Sequence, residues 1–552
     1  MKKKNKNSNI FSMLAEKKEV IALVLILLLA SFFRLWQINS IPPGIYPDEA
    51  VNATNAVLEP GKIFYKDNNG REGLYINLIG LSFKLFGISR FSLKAISISC
   101  GILTVFGVYL LAKELFERSR IIPLLSAFFV AISFWPVNFS RIAFRANMVP
   151  FFLTFSFYFL FKGLKSGLKE EKNGKKDKKD WKGLLNFALG GLFFGLGFHT
   201  YISFRFAVLI LLPVLAGWFF VYRQKRRLKD FLIFSFVYLF ITFLVALPIG
   251  IYFLKNPGDF LSRSGNMSVF SQKEPLKALV RSLAAHLAIF NIYGDANWRH
   301  NISRSPILFW PTGILFLFGI FFSLFQLLKS LLKKNWLIFL NYFLLLSWWF
   351  VMLLPAILTA ESIPHALRII GAIPPTFIFA GLGGYLIFKK ARGLVKVRLT
   401  PFMVGFISFY LLLFFSSFVL AEYFRYFELW AKNKETESAF AKNYVEVGNF
   451  LNSLPAETAK YVIANQGGVL VDGIPMPAQT PMFIEMTKFG KPRATYLNPL
   501  TMNLREVTTA KKTVIIPLQF DNQLFVDLLN LFPEGTVEKS SNNLWFFKIY
   551  KF

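Results

Sequence analysis

The chain has 552 residues, 54% of them hydrophobic and 18% aromatic, and its mean hydropathy is +0.47. A soluble protein of this length has no use for so much apolar surface, whereas lipid solvates it on every side, so the composition reads as an α-helical polytopic membrane protein. The formal charge of +32 does not imply a nucleic-acid partner, because that requires charge gathered on one folded face, and here much of it sits in short loops between apolar runs.

Residues 1–18 carry six lysines and lead into an apolar segment at about 20–36. No small-residue cleavage site follows it, so it reads as an uncleaved first helix. Next comes IPPGIYPDEAVNATNAVLEPGKIFYKDNNGRE, residues 41–72, whose prolines and glycines mark a turn-rich loop that cannot itself span a membrane. It holds the acidic pair Asp48 and Glu49. The stretch at 73–88 is apolar but short and contains Lys84, which fits a re-entrant or interfacial helix. Further apolar segments lie near 92–112, 121–138, 147–161, 184–200, 206–222, 231–253, 307–328, 336–355, 367–388 and 401–421, giving about eleven spans in all.

Threading these spans alternately puts the strongly basic loops on one side. Lys113, Arg118 and Arg120, the lysines between Lys162 and Lys182, Arg223 to Lys229, Lys329 to Lys334 and Lys389 to Arg398 all share the side of the N-terminus. By the positive-inside rule that side is cytoplasmic. The expected location is the cytoplasmic (plasma) membrane, with the 37–91 loop, the 254–306 loop, the 356–366 turn and everything after about Ala421 outside. The basic 162–182 tract is a cytoplasmic connector in this scheme.

From Trp430 onward the composition becomes that of a soluble domain. Residues 435–454 have helical apolar spacing, and Tyr461 to Ile463, Val469 to Val471, Thr513 to Ile516 and Leu544 to Tyr550 read as strands. The expected organisation is a transmembrane module over 1–425 and a small extracytoplasmic α/β domain over 426–552. Cys100, the one cysteine, lies in an apolar run, where it packs as a core thiol. The glycines at 190, 191, 195 and 197 suit close helix approach.

Three groups of residues can carry chemistry. Asp48, beside Glu49 in a proline-constrained loop next to the membrane, can deprotonate or orient an acceptor hydroxyl; an ordinary solvated pair is the alternative. Arg141 and Arg145, four apart, would share a face if helical, and Arg205 and Arg368 stand near the same side. Arginines gathered near a carboxylate clamp a phosphate by paired hydrogen bonds and stabilise it as a leaving group, whereas single ones snorkel to the interface. The four histidines, at 199, 286, 300 and 365, have no zinc-ligand spacing, so no metal or other cofactor is expected. A divalent ion held by Asp259, Asp295 or Glu274 together with Asp48 stays open, but no spacing demands it. No GxxxxGKS/T is present, which argues against an ATP-driven pump.

With these residues in hand, the chain resembles the integral-membrane glycosyltransferases that use lipid-phosphate sugars, specifically the bacterial and archaeal relatives of protein O-mannosyltransferases and of the lipid A aminoarabinose transferases. The likeness rests on PPGIYPDEA after the first span, GREGLYINLIGLSFKLFG, SRIAFR, HTYISFR and IPHALRIIGAIPP, in that order, and covers roughly residues 20–425. It implies that Asp48 is the general base or orients the acceptor, and that Arg71 contacts the donor phosphate; Glu49 is expected as the second catalytic carboxylate, and Arg141 and Arg145 as further phosphate-binding residues. His199, Tyr201, Arg205, His365 and Arg368 would stand in support. The arginine that some relatives carry after the acidic pair is replaced here by Asn52 and Asn55, and an acidic residue of their second external loop is missing, which favours metal-independent transfer from a monophosphate-linked donor. The implied partners are a polyprenyl-phosphate sugar, an acceptor hydroxyl on protein, glycolipid or envelope glycan, and membrane lipid. A transporter or flippase of lipid-linked glycans, or a non-catalytic scaffold, is the alternative class.

Overall fold

The computed structural model describes residues 2–168, 181–261, 268–394, 400–504, 507, 511–541 and 543–550. Most of the basic 162–182 tract lies outside them. In chain order the elements begin with α1 (Lys2–Leu35), α2 (Pro47–Leu58), β1 (Phe64–Tyr65), β2 (Arg71–Glu72) and α3 (Leu74–Phe86). There follow α4 (Arg90–Leu115), α5 (Ile121–Ile132), α6 (Phe134–Ser140), α7 (Met148–Ser166), α8 (Trp181–Gly197), α9 (Val208–Gln224), α10 (Leu228–Lys255) and α11 (Pro257–Leu261). Next are α12 (Pro275–Ala288), α13 (Trp310–Leu332), α14 (Trp336–Val351), α15 (Leu354–Ile357), α16 (Ile373–Leu394) and α17 (Pro401–Tyr423). The remainder comprises α18 (Lys434–Ala439), α19 (Lys442–Ser453), β3 (Ala459–Ile463), β4 (Leu470–Val471), β5 (Ile474–Pro475), α20 (Gln479–Phe489), β6 (Thr495–Leu497), β7 (Thr513–Pro517), α21 (Asn522–Leu531), β8 (Gly535–Lys539) and β9 (Trp545–Ile549).

Among the described residues, eight helices are long and apolar enough to cross a membrane: α4, α7, α9, α10, α13, α14, α16 and α17, some with flanking turns. A ninth is reached if α5 and α6, bent by 58° at their junction, count as one span. The protein is therefore a membrane protein, with eight or nine candidate spans among the described residues against the expected count of about eleven. The difference lies in α8, whose apolar part is only Gly183–Gly197, and in α1, whose apolar stretch is bracketed by Glu19 and Arg34.

The chain separates into two compact units. The first comprises residues 1–36, 97–141 and 145–429, and the second 37–96, 142–144 and 430–552. In the first unit α5 packs on α16, α16 on α13, α7 on α8 and α8 on α10. The α8–α10 approach is close because of its glycines: a Cβ on Gly191 would lie 2.3 Å from the Tyr238 carbonyl oxygen. The segment expected to be one straight span at 121–138 is broken at Ser133, which is extended. A continuous helix would return the Val130 and Ala131 carbonyls to amides four residues on. Instead Arg34 of α1, fully buried, donates from Nη2 to Val130 O at 3.1 Å, from Nη1 to Ala131 O at 2.9 Å and from Nε to Ser140 Oγ at 3.2 Å. The amide of Phe134 donates to Glu422 Oε2 at 3.3 Å, and Glu422 is paired with Arg425 at 3.0 Å. One buried cation and one buried anion thus satisfy backbone that no water reaches.

The second unit is built on a five-stranded sheet in the order β6-β3-β7-β9-β8. β6, β3 and β7 are parallel, and β9 runs antiparallel to both β7 and β8. Side chains alternate along the central strands. Val462, Val514, Ile516 and Phe546 enter one core with Val447 and Leu451 of α19; Ile463, Ile515 and Phe547 enter another with Leu524, Phe525 and Leu528 of α21. The stretch read as one helix at 435–454 is two, because Ala441 between α18 and α19 is left-handed at φ +53°. α2 packs on α3 and on α20, with Thr54 Oγ1 donating to Gln479 Oε1 at 2.6 Å and Thr480 Oγ1 donating to Ile45 O at 3.0 Å. Gly44, in the PPGIYPDE turn, must be glycine, since a Cβ there would sit 2.1 Å from the Phe440 carbonyl oxygen.

Candidate active site

The acidic pair does not lie in an open loop. Pro47 starts α2 at the position where its fixed φ is favoured and its missing amide costs nothing, so Asp48 and Glu49 occupy the first turn, where the helix dipole favours negative charge. Their environments differ. Asp48 is partly exposed, and its Oδ1 accepts from Asn68 Nδ2 at 2.5 Å. Asn68 is buried in the β1–β2 turn at φ +51°, followed by Asn69 at +61° and Gly70 at +80°, a left-handed run that asparagine and glycine tolerate.

Glu49 is fully buried. Its Oε1 accepts from Tyr46 N at 3.2 Å and its Oε2 from Ala143 N at 2.7 Å, while Asn52 Nδ2 donates to Ala143 O at 3.2 Å. Both main-chain groups of Ala143 are thereby held by α2. Burial raises the Glu49 carboxyl above its ordinary value of 4.5, against the opposing pull of the Lys94 charge and the two backbone donors. A carboxyl raised on folding destabilises the folded state as pH climbs from the unfolded value through the folded one. Replacing Glu49 with Gln is therefore expected to shift relative stability in favour of the variant as pH rises from 4 to 7 in thermal unfolding. A difference that is flat with pH would show that burial does not control the group.

Arg71, on β2 beside the Asp48 turn, is 1% exposed. Its Nη1 donates to Asn52 Oδ1 at 2.8 Å, its Nη2 to Asn55 Oδ1 at 2.5 Å and its Nε to Asp67 O at 3.4 Å, with the Tyr65 ring 5.7 Å away. The two asparagines on consecutive turns of α2 thus aim the guanidinium. Gly73, which ends GREG, leaves no room for a Cβ against the Lys62 carbonyl oxygen, 2.0 Å away.

The remaining expected site residues lie in the first unit. Arg141 and Arg145 do not share a helix face, because α6 ends at Ser140 and Arg145 begins a separate 3₁₀ turn. Arg141 is fully buried, donating to Phe33 O at 2.9 Å and Trp36 O at 2.7 Å at the end of α1, with its guanidinium over the rings of Tyr426 and Phe427. Arg145 stacks over Tyr201 at 5.4 Å. His199 Nε2 meets Val245 O at 2.8 Å. Arg205 donates to Phe260 O and lies over the Phe253 and Phe260 rings. Arg368 is paired with Glu361 at 2.8 Å, and His365 lies with Asp295 and His300. Of the acids considered for a metal, Asp259 accepts from Tyr252 and Glu274 pairs with Lys277.

Sequence reasoning missed Asn68, Lys94, Arg34 and Glu422. Only Asn68 left a signal: the turn-forming DNNG ahead of Arg71.

Residues 70–261 match the family profile of dolichyl-phosphate-mannose-protein mannosyltransferases. The resemblance read from the sequence holds. The match begins just before Arg71 and leaves Asp48 outside it. No curated protein matches the chain. Among solved structures, ArnT from Cupriavidus metallidurans bound to undecaprenyl phosphate is similar at a TM-score of 0.52 and 12% identity, over 96% of this chain and 97% of that one. AglB, the oligosaccharyltransferase of Archaeoglobus fulgidus, in complex with an inhibitory peptide and a dolichol-phosphate, is similar at 0.51 and 14%, over 97% and 74%. The apo form of the Archaeoglobus fulgidus oligosaccharyltransferase is similar at 0.50 and 14% over 88% of this chain, which spans 65% of that protein's length. At these identities the likeness is one of fold alone.

Proposed function

We propose that the protein transfers a sugar from a polyprenyl-phosphate-linked donor to an acceptor hydroxyl on the extracytoplasmic face of the plasma membrane. The observation that carries the reading is Asp48: a partly exposed carboxylate in the first turn of a helix, with one oxygen held by a buried amide at 2.5 Å. In the reaction, the acceptor oxygen attacks the anomeric carbon, its proton passes to Asp48, and the bond from that carbon to the phosphate oxygen breaks. Polyprenyl phosphate leaves with the bonding pair. Arg71 is assigned to the donor phosphate, where exchanging one asparagine for a phosphate oxygen keeps its planar fork paired. On the sequence resemblance alone, Arg141 and Arg145 are assigned to phosphate binding and His199, Tyr201, Arg205, His365 and Arg368 to support. Glu49 is a positioning residue for the α2 turn. The polyprenyl phosphates named with ArnT and AglB are ligands of the kind this reading requires.

In the same proposal α1, α8 and the bent α5–α6 pair also cross the membrane, restoring eleven spans, with the N-terminus cytoplasmic. Residues 1–425 form the membrane module and 426–552 an extracytoplasmic domain. Leu81, Leu85 and Phe86 of α3 are exposed opposite a buried face of Tyr75, Ile76, Ile79 and Phe83, which suits a helix lying in the interface.

The test is to supply the protein in lipid nanodiscs with a set of polyprenyl-phosphate sugars and a mixture of hydroxyl acceptors, and to follow release of polyprenyl phosphate. Release supports the proposal and identifies the donor; none from any donor overturns it. A second expectation concerns Asn68. Asn68→Gly keeps the left-handed turn but removes a hydrogen bond to a charged group worth about 1.5–3 kcal/mol. Turnover is expected to fall by roughly ten- to a hundredfold at near-constant donor affinity.

A further inference from the structure

We propose that Asp295, His300 and His365 form a binding site for one borderline divalent transition-metal ion, zinc foremost. The three side chains come from two segments of the first unit, the stretch between α12 and α13 and the one between α15 and α16, and are largely buried, with one ligand atom from each within 4.8 Å of the others. Asp295 Oδ2 lies 2.9 Å from His300 Nδ1 and 3.9 Å from His365 Nδ1, and the two imidazole rings are 4.8 Å apart. In a tetrahedral zinc site the ligand atoms stand about 3.3 Å apart, so small ring rotations bring all three into range.

His365 Nδ1 marks the site, being enclosed by protein yet without a hydrogen-bond partner. A ring nitrogen aimed beside a buried carboxylate that it does not reach is a donor atom awaiting an acceptor of electron pairs. The surroundings hold the ligands in place as outer partners do in metal sites. Asp295 Oδ2 also accepts from Ala366 N at 2.8 Å and Oδ1 from Asn297 N at 2.8 Å. His286 Nε2 accepts from His365 N at 3.2 Å, and Trp135 Nε1 donates to Ala366 O at 3.2 Å. Arg368, whose charge opposes an ion, is paired with Glu361.

An ion entering the cluster replaces the Nδ1 proton that His300 gives to Asp295, and that ring takes its other tautomer. Two imidazoles and one carboxylate suit zinc rather than magnesium or calcium. The spacing of the histidines could not reveal this, because no two of the three lie on one helix turn.

The site shares His365 with the sugar-transfer reading, but its test reads metal retention and not transfer, so either can fail without the other. The protein, purified without a histidine tag, is stripped with chelator, given one equivalent of zinc or cobalt(II), desalted and analysed for metal. Wild type is expected to retain about one equivalent and to show the intense visible bands of tetrahedral cobalt(II). His365→Gln, which leaves the backbone bonds to His286 and Asp295 in place, is expected to retain less than a tenth as much. Wild type that keeps no metal overturns the proposal without reference to any variant, as does equal retention by His365→Gln.

Discussion

Asp48→Asn is expected to lower sugar transfer by about 10²–10⁴-fold, the range a positioned general base supplies, while donor affinity changes little. The substitution is nearly isosteric, and the asparagine carbonyl can still accept the Asn68 bond, so the β1–β2 turn stays docked on α2. The loss of a charge at a helix N-terminus costs about 0.3–1 kcal/mol, too little to unfold the protein. What disappears is the proton acceptor. Single-turnover release of polyprenyl phosphate, measured beside donor binding, separates the two effects, and equal release by wild type and variant would remove Asp48 from the mechanism. Glu49 provides the internal contrast: it stands next to Asp48 in the sequence, but both its oxygens are spent on backbone amides, so its loss should appear first in stability.

The second large effect is expected at Arg34. Arg34→Leu removes the donors from Val130 O, Ala131 O and Ser140 Oγ at a helix break that water does not reach. Each buried acceptor left unpaired costs about 1–3 kcal/mol, so the total is of order 5 kcal/mol, against about 5–15 kcal/mol for a whole folded protein. Folded, monodisperse protein should largely be lost. Arg34→Lys, which keeps the charge but not the three-way fork, should be intermediate. Gly101 leaves the space this side chain fills, since a Cβ there would come within 2.9 Å of Arg34 Nε. A leucine variant with wild-type yield and unfolding temperature would mean that the break is satisfied in another way.

These two residues also mark how far the sequence could be read. Long apolar runs such as α10 and α13 were legible because lipid imposes their length. The break at Ser133 was not, because FFVAISFWPVNFS is uncharged and mostly apolar, and only Pro136, which removes an amide from the helix ladder, hints at it. Arg34 sits at the end of an apolar run, where an arginine ordinarily snorkels, and nothing local says that it turns inward. α2 could have been found, since Pro47 followed by two acids is a helix-start pattern; reading prolines and glycines only as loop signals hid it. In the sheet, β3, β7 and β9 declared themselves by branched and aromatic residues, whereas β6 and β8, Thr-Tyr-Leu and Gly-Thr-Val-Glu-Lys, have too little apolar pattern to stand out. For the candidate site, the residue types were legible and their partners were not. Asn68, Asn52 and Asn55 take their meaning only from the tertiary structure that sets them against Asp48 and Arg71.

The second unit draws on three stretches far apart in the chain, and the bond from Thr54 to Gln479 closes across 425 residues. A ribosome adding roughly 5–20 residues per second needs about 20 to 85 seconds to cover that distance. Throughout that time the segment bearing Asp48 has already been made, while the helix on which α2 rests has not. Biosynthesis therefore imposes a waiting period: α2 stays without its partner until the C-terminal third emerges, and a chain interrupted before Gln479 carries its acidic pair without the surface that shapes it.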